Sequence, residues 1–146
     1  MGLFSKNGKL LVDGARLRGC CCEGWKLTSI SYTVDGTPNC CAMVLSLPDP
    51  DDEHCIPGTL WDALWDVTQR ATGTVTQASP ACNYPCANAV MIPQTLFPTS
   101  FREEGDVGIC TANLFMWDHQ DWHGGEYPPE YMVDYNFDLL FKRCVP

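Results

Sequence analysis

The chain lacks any apolar run approaching the roughly 20 residues of a helical membrane span, so no helix-anchored membrane protein is expected. Its opening, Met1-Gly-Leu-Phe-Ser-Lys6, lacks the apolar core of about 7–15 residues that marks a secretory signal. It approaches an N-myristoylation motif, but Lys6 stands where Ser or Thr is wanted. No Asn-x-Ser/Thr sequon occurs. The expectation is synthesis in the cytosol without export by the general route. Basic residues are scarce: nine Lys and Arg face eighteen Asp and Glu, a net charge of −9. Nucleic acid and anionic membranes attract basic surface, so neither is an expected partner. Familiar catalytic signatures are missing too. There is no G-x-S-x-G, no G-x-x-x-x-G-K-[ST], no G-x-G-x-x-G and no H-E-x-x-H. The chain reads as non-enzymatic.

What is present begins with size. A chain of 146 residues suits one domain with a real core. Leu, Ile, Val and Phe total only 32, near the level of about 20% where disorder becomes a concern. Five Trp, five Tyr and ten Cys offset that shortage. Eleven Pro and twelve Gly demand short helices and many turns. Charge is unevenly placed. Residues 1–26 hold Lys6, Lys9, Arg16, Arg18 and Lys26 against Asp13 and Glu23, a net +3. Residues 27–146 hold four bases and sixteen acids, a net −12. The division is a basic N-terminal arm or hairpin over 1–26 and one acidic β-rich domain over 27–146. Lys6, Lys9, Arg16 and Arg18 are candidates for docking on an acidic neighbour, including another copy of the chain.

The cysteines lie at Cys20, Cys21, Cys22, Cys40, Cys41, Cys55, Cys82, Cys86, Cys110 and Cys144. Three states are open to them: disulfides, reduced buried thiols, or ligands of zinc or an iron–sulfur cluster. An even count fits bridges, but connectivity is not readable from spacing. On a strand Cys20 and Cys22 face one way and Cys21 the other, so the triplet sends bonds in different directions. Cys82-Asn-Tyr-Pro-Cys86 has zinc-ligand spacing without a matching second pair. The triplet or Cys40–Cys41 would have to complete such a site. Cytosolic thiols stay reduced, which weighs against bridges.

Along the chain, Lys9–Leu17 reads as a small hairpin around Asp13-Gly14. Leu27–Val34 alternates as a half-buried strand, and Cys41–Leu47 follows a turn cluster as its partner. Residues 48–58 form an acidic, proline-bound loop. Thr59 caps a helix with Asp62 three residues on, and Gly73 is expected to end it. Trp61 and Trp65 are read as core anchors of that helix. Thr74–Ala78 and Ala87–Ile92 are short strands. Asp106–Trp117 suits a strand buried on both faces. Tyr131–Phe141 alternates apolar with polar and reads as a closing strand. The expected fold is mainly β. It is a small antiparallel sandwich or barrel with one short helix at about 60–72 and an extended N-terminal arm.

Two clusters could carry chemistry. His119, Asp121 and His123 sit between Asp118 and Glu126 at a spacing able to bind zinc, iron or manganese. They follow a strand and run into Gly124-Gly125, which favours an exposed turn. Asp49, Asp51, Asp52 and Glu53 lack EF-hand order and read as a solvated loop.

The segment Asn7-Gly-Lys-Leu-Leu-Val-Asp-Gly-Ala-Arg-Leu-Arg-Gly-Cys-Cys-Cys22 resembles small proteins of tailed bacteriophages and some bacteria. In them a similar opening leads into a Cys-Cys-Cys cluster and a short β-rich body. The resemblance covers residues 7–22 alone and implies a structural virion protein, a capsid decoration (cement) or tail component. It brings no catalytic residues. A virus particle assembles in the cytosol and oxidises after lysis, which would reconcile disulfides with synthesis in the host cytoplasm. The expected partners are further copies, as a homo-oligomer and specifically a trimer, and a neighbouring capsid or tail protein. No cofactor is expected. Alternative roles are a cysteine-ligated zinc or iron–sulfur domain, and a small metal-dependent hydrolase using His119, Asp121 and His123.

Overall fold

The computed structural model describes residues 16–17, 22–36, 38, 41–77, 94–117 and 132–146. The strands are β1 (Gly24–Asp35), β2 (Cys41–Ser46), β3 (Ile56–Pro57), β4 (Thr72–Gln77), β5 (Gln94–Thr95), β6 (Phe97–Glu104), β7 (Val107–Trp117) and β8 (Met132–Cys144). One helix, α1 (Leu60–Arg70), and one 3-10 turn, Pro50–Asp52, complete the described elements. Five strands form an antiparallel sheet in the order β3-β1-β8-β7-β6, and three form a second in the order β2-β4-β5. The fold is mainly β with one helix, as the patterning predicts.

β8 explains the large sheet. Val133, Tyr135, Phe137, Leu139 and Phe141 are buried, while Asn136, Asp138 and Leu140 between them are exposed. That two-residue period puts one apolar face inward. The strand is flanked by β1 and β7, so it is central rather than closing. Its inner residues join Trp25 and Leu27 of β1 and Cys110, Ala112, Leu114 and Met116 of β7 in one core with Leu60, Leu64 and Val67 of α1.

Several expectations change. β1 does not pair with β2; it pairs with β8 along Gly24–Asp35, while β2 pairs with β4. β2 has only six residues, whereas β8 pairs with β1 from Gly24 to Asp35, and the longer ladder outweighs the nearer turn. α1 ends at Arg70, where Ala71 turns extended (φ −97°, ψ 118°) and its carbonyl accepts from Leu96 N–H at 3.1 Å. Gly73 therefore stops no helix. It lies in β4, where a Cβ would strike Leu114 and Met43, so glycine lets the second sheet approach β7. β7 is not buried on both faces. Gly108, Cys110, Ala112, Leu114 and Met116 are buried, but Phe115 is exposed. The patterning missed β6 altogether. Pro98 and Arg102-Glu103-Glu104 disguise it, and an edge strand tolerates both. Residues 9–15 of the anticipated hairpin and Ala87–Ile92 lie outside the described residues.

Candidate functional site

Cysteine chemistry comes first because the sequence is richest in it. Cys22 and Cys55 form a disulfide, with Cα atoms 6.1 Å apart. Cys55 directly precedes β3 and Cys22 stands two residues before β1, so the bridge fastens the edge of the large sheet near its first rung, Gly24 opposite Pro57. Gly24 is required there, since a Cβ would collide with the Ile56 carbonyl. Cys41 is likewise disulfide-bonded. These three sulfurs are not thiolates and cannot serve as metal ligands in this state. Cys110 and Cys144 are buried thiols. Burial pushes the Cys110 thiol up to about 12, so it is no nucleophile at neutral pH.

The other sequence candidates divide clearly. Cys20, Cys21, Cys40, Cys82, Cys86, His119, Asp121, His123, Lys6, Lys9 and Arg18 lie outside the described residues. Among the described residues no three His, Cys, Asp or Glu side chains gather in a metal-binding arrangement. The acidic loop has structural duties instead. Asp49 caps the 3-10 turn, its Oδ1 accepting from Asp51 N–H at 3.0 Å. Glu53 takes both Arg70 Nη groups, at 2.7 and 3.0 Å, and Asp66 accepts from Arg70 at 2.8 Å. Glu53, then Asp66, raises the Arg70 pKa and keeps it charged.

Arg16 is engaged within its own chain. Its Nε and Nη2 meet the Asp106 carboxylate at 3.2 and 3.3 Å. Leu17 N–H donates to Arg143 O at 2.8 Å, and Val145 N–H donates to Leu17 O at 3.0 Å, forming a parallel bridge beside Cys144. Arg143 also binds Asp106 (3.0 Å) and Glu103 (3.0 Å) and lies 4.4 Å over the Trp25 ring.

The surface feature that stands out is aromatic. Leu60, Ala63, Leu64 and Val67 supply the buried stripe of α1, which leaves Trp61 and Trp65 turned aside. They are 40% and 36% exposed, so they are not the core anchors the patterning suggested. Spaced four apart on the helix, they meet edge to face at 5.6 Å and 81°. Phe101 of β6, 47% exposed, extends the cluster to Trp61 at 4.9 Å. Its register partner is Cys110, so it projects on the helix-covered face of the sheet. α1 is placed there by Gly108 of β7, where a Cβ would collide with Leu60.

Acids border this shelf. Asp62 Oδ2 accepts from Thr59 N–H (3.0 Å) and Thr59 Oγ1–H (2.9 Å), and these bonds lower its pKa. Asp66 and Glu103 are exposed along α1 and β6. The Thr59 hydroxyl that meets the Asp62 carboxylate belongs to the capping box of α1. The arrangement can cover apolar or cationic side chains, and catalysis has no evident machinery in it. Phe101 was invisible to sequence reasoning because β6 itself was missed. The signal available for the tryptophans was their angle on the helix, offset from the leucines. No protein-family model, curated protein or solved structure matches this chain.

Proposed function

We propose that this chain is a structural virion protein of a tailed bacteriophage, a capsid decoration or tail component, working by protein–protein binding. The observation that carries the binding role is the Trp61–Trp65–Phe101 shelf. Three large rings are left substantially open to solvent beside acidic side chains on a stapled β body. Exposed aromatic clusters of this kind are characteristic of contact surfaces, where large rings contribute most per residue. The particle context is supported by the likeness of residues 7–22 to small phage proteins. The Cys22–Cys55 bridge suits a part that must outlast its cell.

Partners in this reading are further copies, in a closed trimer, and a neighbouring shell or tail protein. The test is mass spectrometry of gradient-purified particles. Stoichiometric detection is expected, with incorporation reduced by Trp61→Ala together with Phe101→Ala. Its absence from particles would end this reading.

A further inference from the structure

The large sheet has a second face, turned away from α1, and among the described residues no element packs on it. Directly opposed residues of paired strands share a face, so the registers lay out its side chains in rows. One row crosses four strands as Ser31, Asp138, Thr111 and Ser100. The next is Thr33, Asn136, Asn113 and Phe97. All are exposed or half-exposed, while Cys110, Ala112 and Leu114, which alternate with them on β7, are buried on the other side. Side-chain bonds hold the rows in place. Asn113 Nδ2 donates to Asn136 Oδ1 at 3.0 Å and to Asp134 Oδ1 at 3.3 Å. The Thr111 hydroxyl is bonded to those of Ser100 and Thr99. Groups ordered before a ligand arrives cost less to bind with.

The chemistry of the face selects its ligand. A protein interface is built on an apolar centre depleted of charge. Here the centre is polar, and the bare ring, Phe97 at 67% exposure, stands at the rim on β6. A polyanion is repelled, because Asp35, Asp134 and Asp138 lie in or beside the two rows and no base lies in them. Sugar hydroxyls both donate and accept, which carboxylate, amide and hydroxyl side chains can answer together. The apolar C–H face of a sugar packs on an aromatic ring. Strands stand about 4.8 Å apart, close to the length of one sugar unit, so a glycan lying across them meets a new polar side chain at each unit.

We propose that this face binds a neutral polysaccharide lying across β1, β8, β7 and β6. Asp138 and Asn136 hydrogen-bond its hydroxyls, and Phe97 stacks on a sugar ring. The site is on the side of the sheet opposite Phe101, so it does not depend on what the aromatic shelf binds.

The test is native affinity electrophoresis of the full chain through gels holding dextran, mannan, galactomannan or hydroxyethyl cellulose, each beside its carboxymethylated counterpart. Retardation by at least one neutral polymer is expected, and weaker retardation by its carboxymethylated form. Phe97→Ala and Asp138→Ala should each weaken binding about tenfold. Both side chains are exposed, so neither change disturbs the core. Phe101→Ala, on the opposite face, should bind as the parent does. The proposal is overturned if no neutral polymer retards the chain, or if the carboxymethylated forms retard it more. It is equally overturned if both Phe97→Ala and Asp138→Ala bind as the parent. Should Phe97→Ala lower incorporation into particles while no polymer is bound, the face is a protein contact and the proposal falls. Absence of the protein from particles would leave the retardation intact, so the two readings fail separately.

Discussion

Replacing Cys22 and Cys55 together by serine removes the bridge without leaving a lone thiol to mispair. The two are 33 residues apart. On the chain-entropy model, closing a loop of that length in the unfolded chain is worth about 4 kcal/mol. Cys41 lies inside the same loop and is itself bridged, which already restricts the unfolded chain and makes that figure an upper bound. For a domain near 150 residues, 1 kcal/mol moves the melting midpoint by about 2–4 °C. The expected fall is therefore about 5–10 °C, read by scanning calorimetry of the double variant against the parent, both without reductant. The rest of the bridge's surroundings are unchanged by the swap, because serine is close to cysteine in size. A fall below about 2 °C would refute the reasoning, since a loop this long cannot be closed so cheaply unless other links already hold its ends together.

Four further outcomes follow from other parts of the structure. Thr59→Ala removes the N-cap side chain of α1, with the bond its hydroxyl donates to the Asp62 carboxylate and the bond it accepts from Asp62 N–H; a loss of about 1 kcal/mol is expected in urea titration. Gly108→Val forces a side chain against Leu60 and should cost about 1–3 kcal/mol by the same measurement, whereas Gly105→Asn, at a turn with φ 63° and open space, should be nearly neutral. The Asp62 pKa is depressed in the folded state, so its contribution is complete above the ordinary carboxylate value of 3.8 and disappears as pH falls through the lower folded value; Asp62→Asn should flatten the stability profile in that acidic window. Native Cys110 should resist iodoacetamide at pH 9 and react fully after unfolding, because burial holds its thiol near 12.

Legibility in the sequence tracked how local each signal was. The Thr59–Asp62 capping box and the alternation of β8 are contained within a few residues, and both stand in the structure as read. The pairing of β1 with β8 joins residues about a hundred or more apart, and no turn motif announces it. The patterning accordingly chose the nearer strand. β6 was hidden for a different reason. An edge strand escapes the demand for two paired sides, so it can carry proline and charge that a central strand could not. With β6 hidden, Phe101 could not be placed beside Trp61.

Composition and spacing alone determined that this chain is mostly β, with one capped helix, an acidic body and many cysteines, because those properties follow from residue counts and periods of two and 3.6. Only the tertiary structure decided which cysteine meets which and that Gly73 and Gly108 serve close packing. It alone turned Trp61 and Trp65 outward to join Phe101, and it alone pinned Arg16 to the turn of the hairpin that bears Phe101. Each of those depends on which distant segments share a face. That is a property of register and layer packing, which no window of neighbouring residues contains.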